Sequence, residues 1–362
     1  MSMMRWRNLV EPSSLMEHFQ LHPSEGFTAL DGVPVPAFMA PFDLLTTADE
    51  ALRSRVLSWP MHRVWSAWLR VRTAFVGSPV MEYAPLPDVQ ERPRILAETL
   101  RQSVCDKFPL TILKDVPRES PLLSEADNAY ARGLLDACTQ LGFILVEGQA
   151  LAYLPIDFDS LEGYLARLSS GRRANLRRKW RSRQRLEVRH VPTGDAFASD
   201  NLVDALYALY EGVYDRSHTR FERLTRGFFA AALRDAGSGG IVFEYRLAAT
   251  GELLGWNLCY ECSGRLVDKY IGFAYPAARE VDLYFVSWMV NLEYAIRRGL
   301  DCYVAGCAAP EIKKSLGAHF SMTCHAVYVR NSLLRLLARR FSRHFESDRR
   351  TLECAAPPRV RA

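Results

Sequence analysis

The chain has 362 residues, 49% of them hydrophobic and 24% charged, with a formal net charge of +5. That length points to roughly two domains of about 150 to 200 residues each, the hydrophobic content excludes intrinsic disorder, and the small basic excess allows an anionic partner without requiring one. No stretch reaches the ~18 uninterrupted apolar residues of a membrane span; even "GIVFEYRLAATGELLGWNLCYE" is broken by Glu244, Arg246 and Glu252, so stable membrane insertion is not expected.

The start "MSMMRWRNLVEPSS" lacks an apolar h-region and a small-residue cleavage site, so the eight cysteines read as reduced thiols of a cytoplasmic protein. Residues 1–24 carry no period and read as a flexible N-terminus. "GVPVPAFMAPFDLL" then reads as extended chain, "EALRSRVLSWPMHRVWSAWLRVR" as a helix interrupted at Pro60, and "FVGSPVMEYAPL" as strand and turn. The helix "QERPRILAETLRQSVCDKF", the strand "PLTILKDV", the helix "EADNAYARGLLDACTQLG" and the strand "FILVEGQALAYLP" follow. This alternation predicts an α/β (α+β) fold.

Asp159 and Glu162 have the spacing of a capping box, and Leu161, Tyr164, Leu165 and Leu168 recur at helical intervals, which predicts a short helix ending near Gly171. Next comes "SSGRRANLRRKWRSRQRLEVRHV", with nine arginines and lysines between positions 171 and 189 and one acid, Glu187. It reads as a second helix, packed through Leu176 and Trp180, before alternation takes over at "LEVRHV". Such a run is often a solvated face; as a binding surface it suits phosphates or an acidic protein.

Two helices, "NLVDALYALYEGVYDRS" and "LTRGFFAAALRDAG", lead to three meandering strands, "IVFEYRLAA", "LLGWNLCYE" and "LVDKYIGFAY". The helix "DLYFVSWMVNLEYAIRRG", the strand "DCYVAG", the short helix "PEIKKSLG" and the strand "MTCHAVYVR" complete the order. That order resembles the GNAT acyltransferase fold. The text "SLEGYLARLSSGRRANLRRKWR", the Y-x-G of Tyr270 to Gly272, the A-I-x-x-G of Ala295 to Gly299 and the K-x-x-L-G of Lys313 to Gly317 resemble BioF2-like acetyltransferases and Fem-like peptidoglycan aminoacyltransferases. The resemblance implies tandem GNAT-like domains, each a mixed, mostly antiparallel sheet flanked by helices, with a cleft between the halves. The boundaries follow as a degenerate GNAT-like domain over 25–155, an acyltransferase domain over 156–335 and a basic amphipathic helix and tail over 336–362.

The resemblance also implies transfer of an acyl group from a thioester carrier, acyl-CoA or acyl carrier protein, to an amine. The Fem-like alternative is aminoacyl-tRNA as donor and a cell-wall precursor or peptide as acceptor, and the non-enzyme alternative is nucleic-acid binding. Ordinary GNAT enzymes cradle the coenzyme A pyrophosphate on a glycine-rich turn. Here the corresponding "YPAAREVDLYF" has no glycine, Pro276 lacks an N–H, and Glu280 and Asp282 oppose a phosphate.

Acyl transfer needs a proton acceptor and donors aimed at the developing oxyanion. Asp282 and Glu280 are candidates for the first task, with helix capping as the plain alternative. Lys313 suits charge stabilisation, unless it is a surface lysine beside Lys314. Tyr303 and Tyr270 suit proton donation, unless they are packing residues of strands, and Tyr284 lies where the acyl group is expected. Arg172, Arg173, Arg177 and Arg178 are candidates for the carrier's phosphates, and His218, among three arginines, for an acidic acceptor; a solvated loop is the alternative. Cys259 with Cys262 and Cys302 with Cys307 lack zinc-site spacing and read as core cysteines, so no metal is expected. In "NSLLRLLARRFSRHFESDRR", Leu333, Leu334, Leu337 and Phe341 alternate with Arg335, Arg339, Arg340 and Arg343. This amphipathic helix is expected to dock on its own domain, with membrane-surface contact as the alternative.

Overall fold

The computed structural model describes residues 5–44, 54, 58, 69–88, 92–217 and 222–341. The chain divides into two compact units, the first made of Met1–Leu9, Glu25–Leu151 and Phe320–Ala362, the second of Val10–Ser24 and Ala152–His319. Each holds a mixed, mostly antiparallel sheet flanked by helices.

In the first unit β1 (Trp6–Arg7) forms a small ladder with β5 (Leu86–Pro87), and β2 (Thr28–Ala29), β3 (Ala37–Asp43) and β4 (Arg70–Val76) run antiparallel in turn. Most of the helix expected over 50–72 lies outside the described residues, and its last residues are strand: Arg70 already pairs with Asp43. β4 is parallel to β6 (Leu110–Pro117), and the crossover carries the helix Pro93–Leu100. A parallel pair needs such a crossover because the chain must return to the same end. Leu96, Leu100, Leu113, Val116, Leu134 and Cys138 pack into one buried core. The helix Glu125–Gln140 starts where the Ser124 hydroxyl accepts the Asp127 N–H. β7 (Ile144–Pro155) then leads into the second unit.

In the second unit β8 (Leu186–Pro192), β9 (Gly240–Leu247), β10 (Leu253–Cys262) and β11 (Arg265–Phe273) are antiparallel neighbours. β11 is parallel to β12 (Cys302–Gly306), which pairs with the last residues of β7. The crossover helix Leu283–Arg297 is apolar almost all round and buries Val286, Met289, Val290 and Leu292. A helix of that pattern is stable only inside a core, and each such side chain contributes roughly 1.5–3 kcal/mol on burial.

Three expectations are corrected. Residues 1–24 contain the helix Ser14–Leu21, which buries Leu15, Met16 and Phe19 and ties His18 to Asp235 at 3.0 Å. The short helix Leu161–Ala166 is capped by Ser160, whose hydroxyl accepts the Gly163 N–H, while Glu162 pairs with Arg177. The last strand, β13 (His319–Val329), pairs antiparallel with β6 and so belongs to the first unit.

Candidate active site in the second unit

The site follows from two irregularities in the sheet. β11 and β12 pair over three positions, Arg265 with Cys302, Leu266 with Tyr303 and Val267 with Val304, and there the pairing ends. Asp268 is the next residue on one strand and Ala305 the next on the other. Between β10 and β11 the register shifts at the same level: Cys259 faces Asp268 while Leu258 faces Tyr270, leaving Lys269 as an extra residue. Such a bulge resets the alternation of side chains. Asp268 therefore shares a face with Cys259 and Asn257, and Tyr270 is turned to the opposite face.

The Asp268 carboxylate is surrounded by neutral donors. Asn257 Nδ2 lies 3.1 Å from each oxygen, Asn291 Nδ2 donates to Oδ2 at 3.1 Å and Tyr303 Oη donates to Oδ2 at 2.8 Å. The Cys259 thiol points at Oδ1 from 3.7 Å. Asn291 also donates to Tyr303 Oη at 3.1 Å, so the phenol proton is directed at the carboxylate. Burial pushes the Asp268 pKa above the usual carboxylate range, even though Asn257, Tyr303 and the charge of Lys313 pull it back. Burial and the adjacent carboxylate hold the Tyr303 phenol and the Cys259 thiol well above their ordinary values. Oδ1 of Asn257 and Oδ1 of Asn291 are buried and accept no hydrogen bond from the protein.

Lys313 is buried, 6% exposed, on the short helix Pro310–Ser315. Its ammonium donates to the carbonyl oxygens of Ala305 and Gly306, the groups freed where β12 leaves β11. Trp288 stacks edge-on against Tyr303 at 4.9 Å and donates to Tyr164 Oη at 3.1 Å; Tyr164 in turn donates to the Leu316 carbonyl at 2.7 Å. This chain of contacts fixes the Lys313 helix against the cluster. Beside the bulge, Lys269 forms an ion pair with Glu11 at 3.3 Å, with side chains 5% and 0% exposed.

Of the residues singled out from sequence, Lys313 and Tyr303 are brought together around Asp268, and the Asp268 charge raises the Tyr284 pKa further above the level set by burial. Tyr270 is turned away and packs against Phe228 and Phe229. Gly272 of the Y-x-G has a packing reason, since a Cβ there would meet Trp256 Nε1 at 2.2 Å. Asp282 does not enter the cluster: it stands at the helix start in a left-handed conformation, φ 51°, makes no capping bond and pairs with Lys179 at 3.3 Å. Glu280 is exposed. Lys179 also lies 3.1 Å from the Phe285 ring centroid, which joins the basic helix Ser170–Trp180 to the start of Leu283–Arg297. On that basic helix Arg172, Arg177 and Arg178 are exposed, Arg173 is half-buried and Leu176 faces inward. His218 lies outside the described residues.

Asp268, Asn257 and Asn291 escaped the sequence reading. The available signal was polar residues at core positions of apolar segments, "LVDKYIG", "GWNLCY" and "WMVNLEY", where such groups need a partner or a task. Cys259 and Cys302 are buried and not bridged. Among the described residues no group of three or more His, Cys, Asp or Glu is arranged to hold a metal, and no helix is long and apolar enough to cross a membrane.

Solved structures with a similar fold include L-PGS from Bacillus licheniformis, at 10% identity over 92% of this chain and 98% of that one with TM-score 0.54. FemX aligns at 11% identity over 93% and 96% with TM-score 0.53. The C-terminal domain of a putative lysylphosphatidylglycerol synthetase from Agrobacterium fabrum aligns at 14% identity over 74% and 79% with TM-score 0.50. No curated protein matches the sequence. The family model described as an acetyltransferase (GNAT) domain matches residues 170–314. Those residues are thus similar to a GNAT acetyltransferase domain, and Asn257, Asp268, Asn291, Tyr303 and Lys313 all lie inside the matched stretch.

Proposed function

We propose that the chain is an acyltransferase that moves an acyl group from a thioester carrier to an amine, with Asp268 as the proton acceptor. The observation that carries this reading is a carboxylate of raised pKa held by neutral donors where two parallel strands diverge within a GNAT domain. The neutral amine attacks the thioester carbonyl, forming the N–C bond. Its proton passes to Asp268, the C–S bond breaks, and the proton leaves on the carrier sulfur. Asn257, Asn291 and Tyr303 hold the carboxylate in one orientation, and the Lys313 charge favours the oxyanion that develops at the diverging strand ends. The carrier is acyl-CoA or acyl carrier protein, whose phosphates or acidic surface meet Arg172, Arg173, Arg177 and Arg178 in place of a glycine-rich turn.

A thiol-release assay over a panel of acyl-CoAs with amine acceptors tests the reading. Turnover that Asp268→Asn abolishes supports it, and turnover unchanged in that variant removes Asp268 from the chemistry.

The exposed arginines of Ser170–Trp180 also suit the phosphates of an aminoacyl-tRNA donor. Binding to tRNA falls by orders of magnitude from low to moderate salt, whereas acyl-CoA binding changes far less. Duplex RNA binding without any transfer to an amine would instead indicate a nucleic-acid-binding protein.

A further inference from the structure

The helix Ser332–Phe341 of the first unit is held firmly at its start and uncovered along its apolar side. Asn331 Oδ1 accepts the N–H groups of Leu333 and Leu334 at 3.0 and 3.2 Å, which caps the helix. Arg335 turns back to donate to the Val329 carbonyl at 3.2 Å, and its guanidinium lies 4.6 Å from the Tyr328 ring centroid. The direction of the helix is thereby set by β13. Yet Leu333, Leu334, Leu336 and Leu337 are 73%, 56%, 66% and 54% exposed, contrary to the expectation that this stripe docks on its own domain. Half of the large hydrophobic side chains exposed among the described residues fall within these ten residues.

At about 3.6 residues per turn, Leu333, Leu334 and Leu337 share one side, and Arg335 and Arg339 lie across from it with Arg340 at its flank. The helix contains no acid. A second copy would have to seat this face on a patch bearing the same arginines. A bilayer of anionic lipid satisfies both faces at once, with leucines in the acyl boundary and guanidinium groups at the phosphates. We infer that Ser332–Phe341 is a peripheral membrane-binding helix that docks the protein on an anionic lipid surface without spanning it.

Co-sedimentation of the full chain with vesicles tests this, and its readout is independent of any turnover. Vesicles of equal parts phosphatidylcholine and phosphatidylglycerol are expected to bind the chain, vesicles of phosphatidylcholine alone far less, and added salt weakens the binding. Arg340→Gln reduces the partition about fivefold, and Leu333→Gln with Leu337→Gln reduces it roughly tenfold or more. Both variants keep the melting temperature, because the altered side chains are exposed. Three results overturn the inference: no binding to the mixed vesicles, equal binding to both compositions, or a leucine variant that splits a dimer in sedimentation while vesicle binding is unchanged.

Discussion

Each unit places an aspartate beside a parallel strand pair, buried at Asp115 and half-buried at Asp268, and the two are treated differently. Asp115 on β6 sits next to a cation: Lys114 Nζ is 3.3 Å from its carboxylate, Thr323 donates to it at 3.1 Å and the His325 ring stands 3.8 Å away. Asp268 on β11 is held by two amides and a phenol, while Lys313, whose charge acts on it, is occupied by backbone carbonyls. A carboxylate paired on the spot is a structural charge. One that is buried among neutral donors keeps a raised affinity for protons and suits proton transfer.

The largest expected effect sharpens that contrast. Asp268→Asn lowers turnover about 10²- to 10⁴-fold, whereas Asp115→Asn leaves it within about threefold; equal losses in both, measured under the same acyl-CoA assay, would erase the distinction. Lys313→Ala comes next. It strands the Ala305 and Gly306 carbonyls, so denaturant unfolding should show a loss of about 2–4 kcal/mol alongside slower turnover. Asp115→Asn itself costs about 1–3 kcal/mol, since Lys114 loses the negative charge beside it and only one of the two carboxylate oxygens remains as an acceptor.

The pH dependence tests Asp268 directly. The Asp268 pKa is raised in the folded protein, so between the ordinary carboxylate value and the raised one the folded state binds more protons than the unfolded state. Stability relative to Asp268→Asn therefore falls as pH rises through that window. Activity moves the other way, because the base must be ionised, and its acid limb should lie above the ordinary carboxylate range and vanish with the carboxylate. The smallest effect is at the exposed basic helix, where Arg172→Gln with Arg178→Gln should leave the unfolding free energy within about 0.5 kcal/mol and raise the KM for the carrier in a salt-dependent way. A KM indifferent to salt would count against phosphate binding there.

Most elements were legible because burial imposes a period: apolar runs such as "FFAAALR", "LLGWNLCY" and "DCYVAG" have few alternatives once turns mark their ends. The role of Lys313 was readable only as a motif position, and its burial against two carbonyls adds a structural task the K-x-x-L-G spacing did not show. Asp282 was a candidate acid because it lies where the third meandering strand meets the long helix, yet its left-handed backbone carries the side chain to Lys179, more than a hundred positions earlier. Tyr270 was a candidate proton donor with strand packing as the alternative, and the extra residue Lys269 turns it to the face opposite Asp268, where it packs against Phe228 and Phe229.

Local pattern alone determined the α/β class, the basic helix and the amphipathic helix of Ser332–Phe341. These depend on neighbours within a few positions, where helix and strand periods leave little freedom. Tertiary structure decided which acid is surrounded by neutral donors, which strand β13 joins and whether the leucines of Ser332–Phe341 are covered. Each depends on hydrogen-bond partners and packing surfaces brought from distant parts of the chain, and a single bulge in β11 is enough to reassign every side chain beyond it.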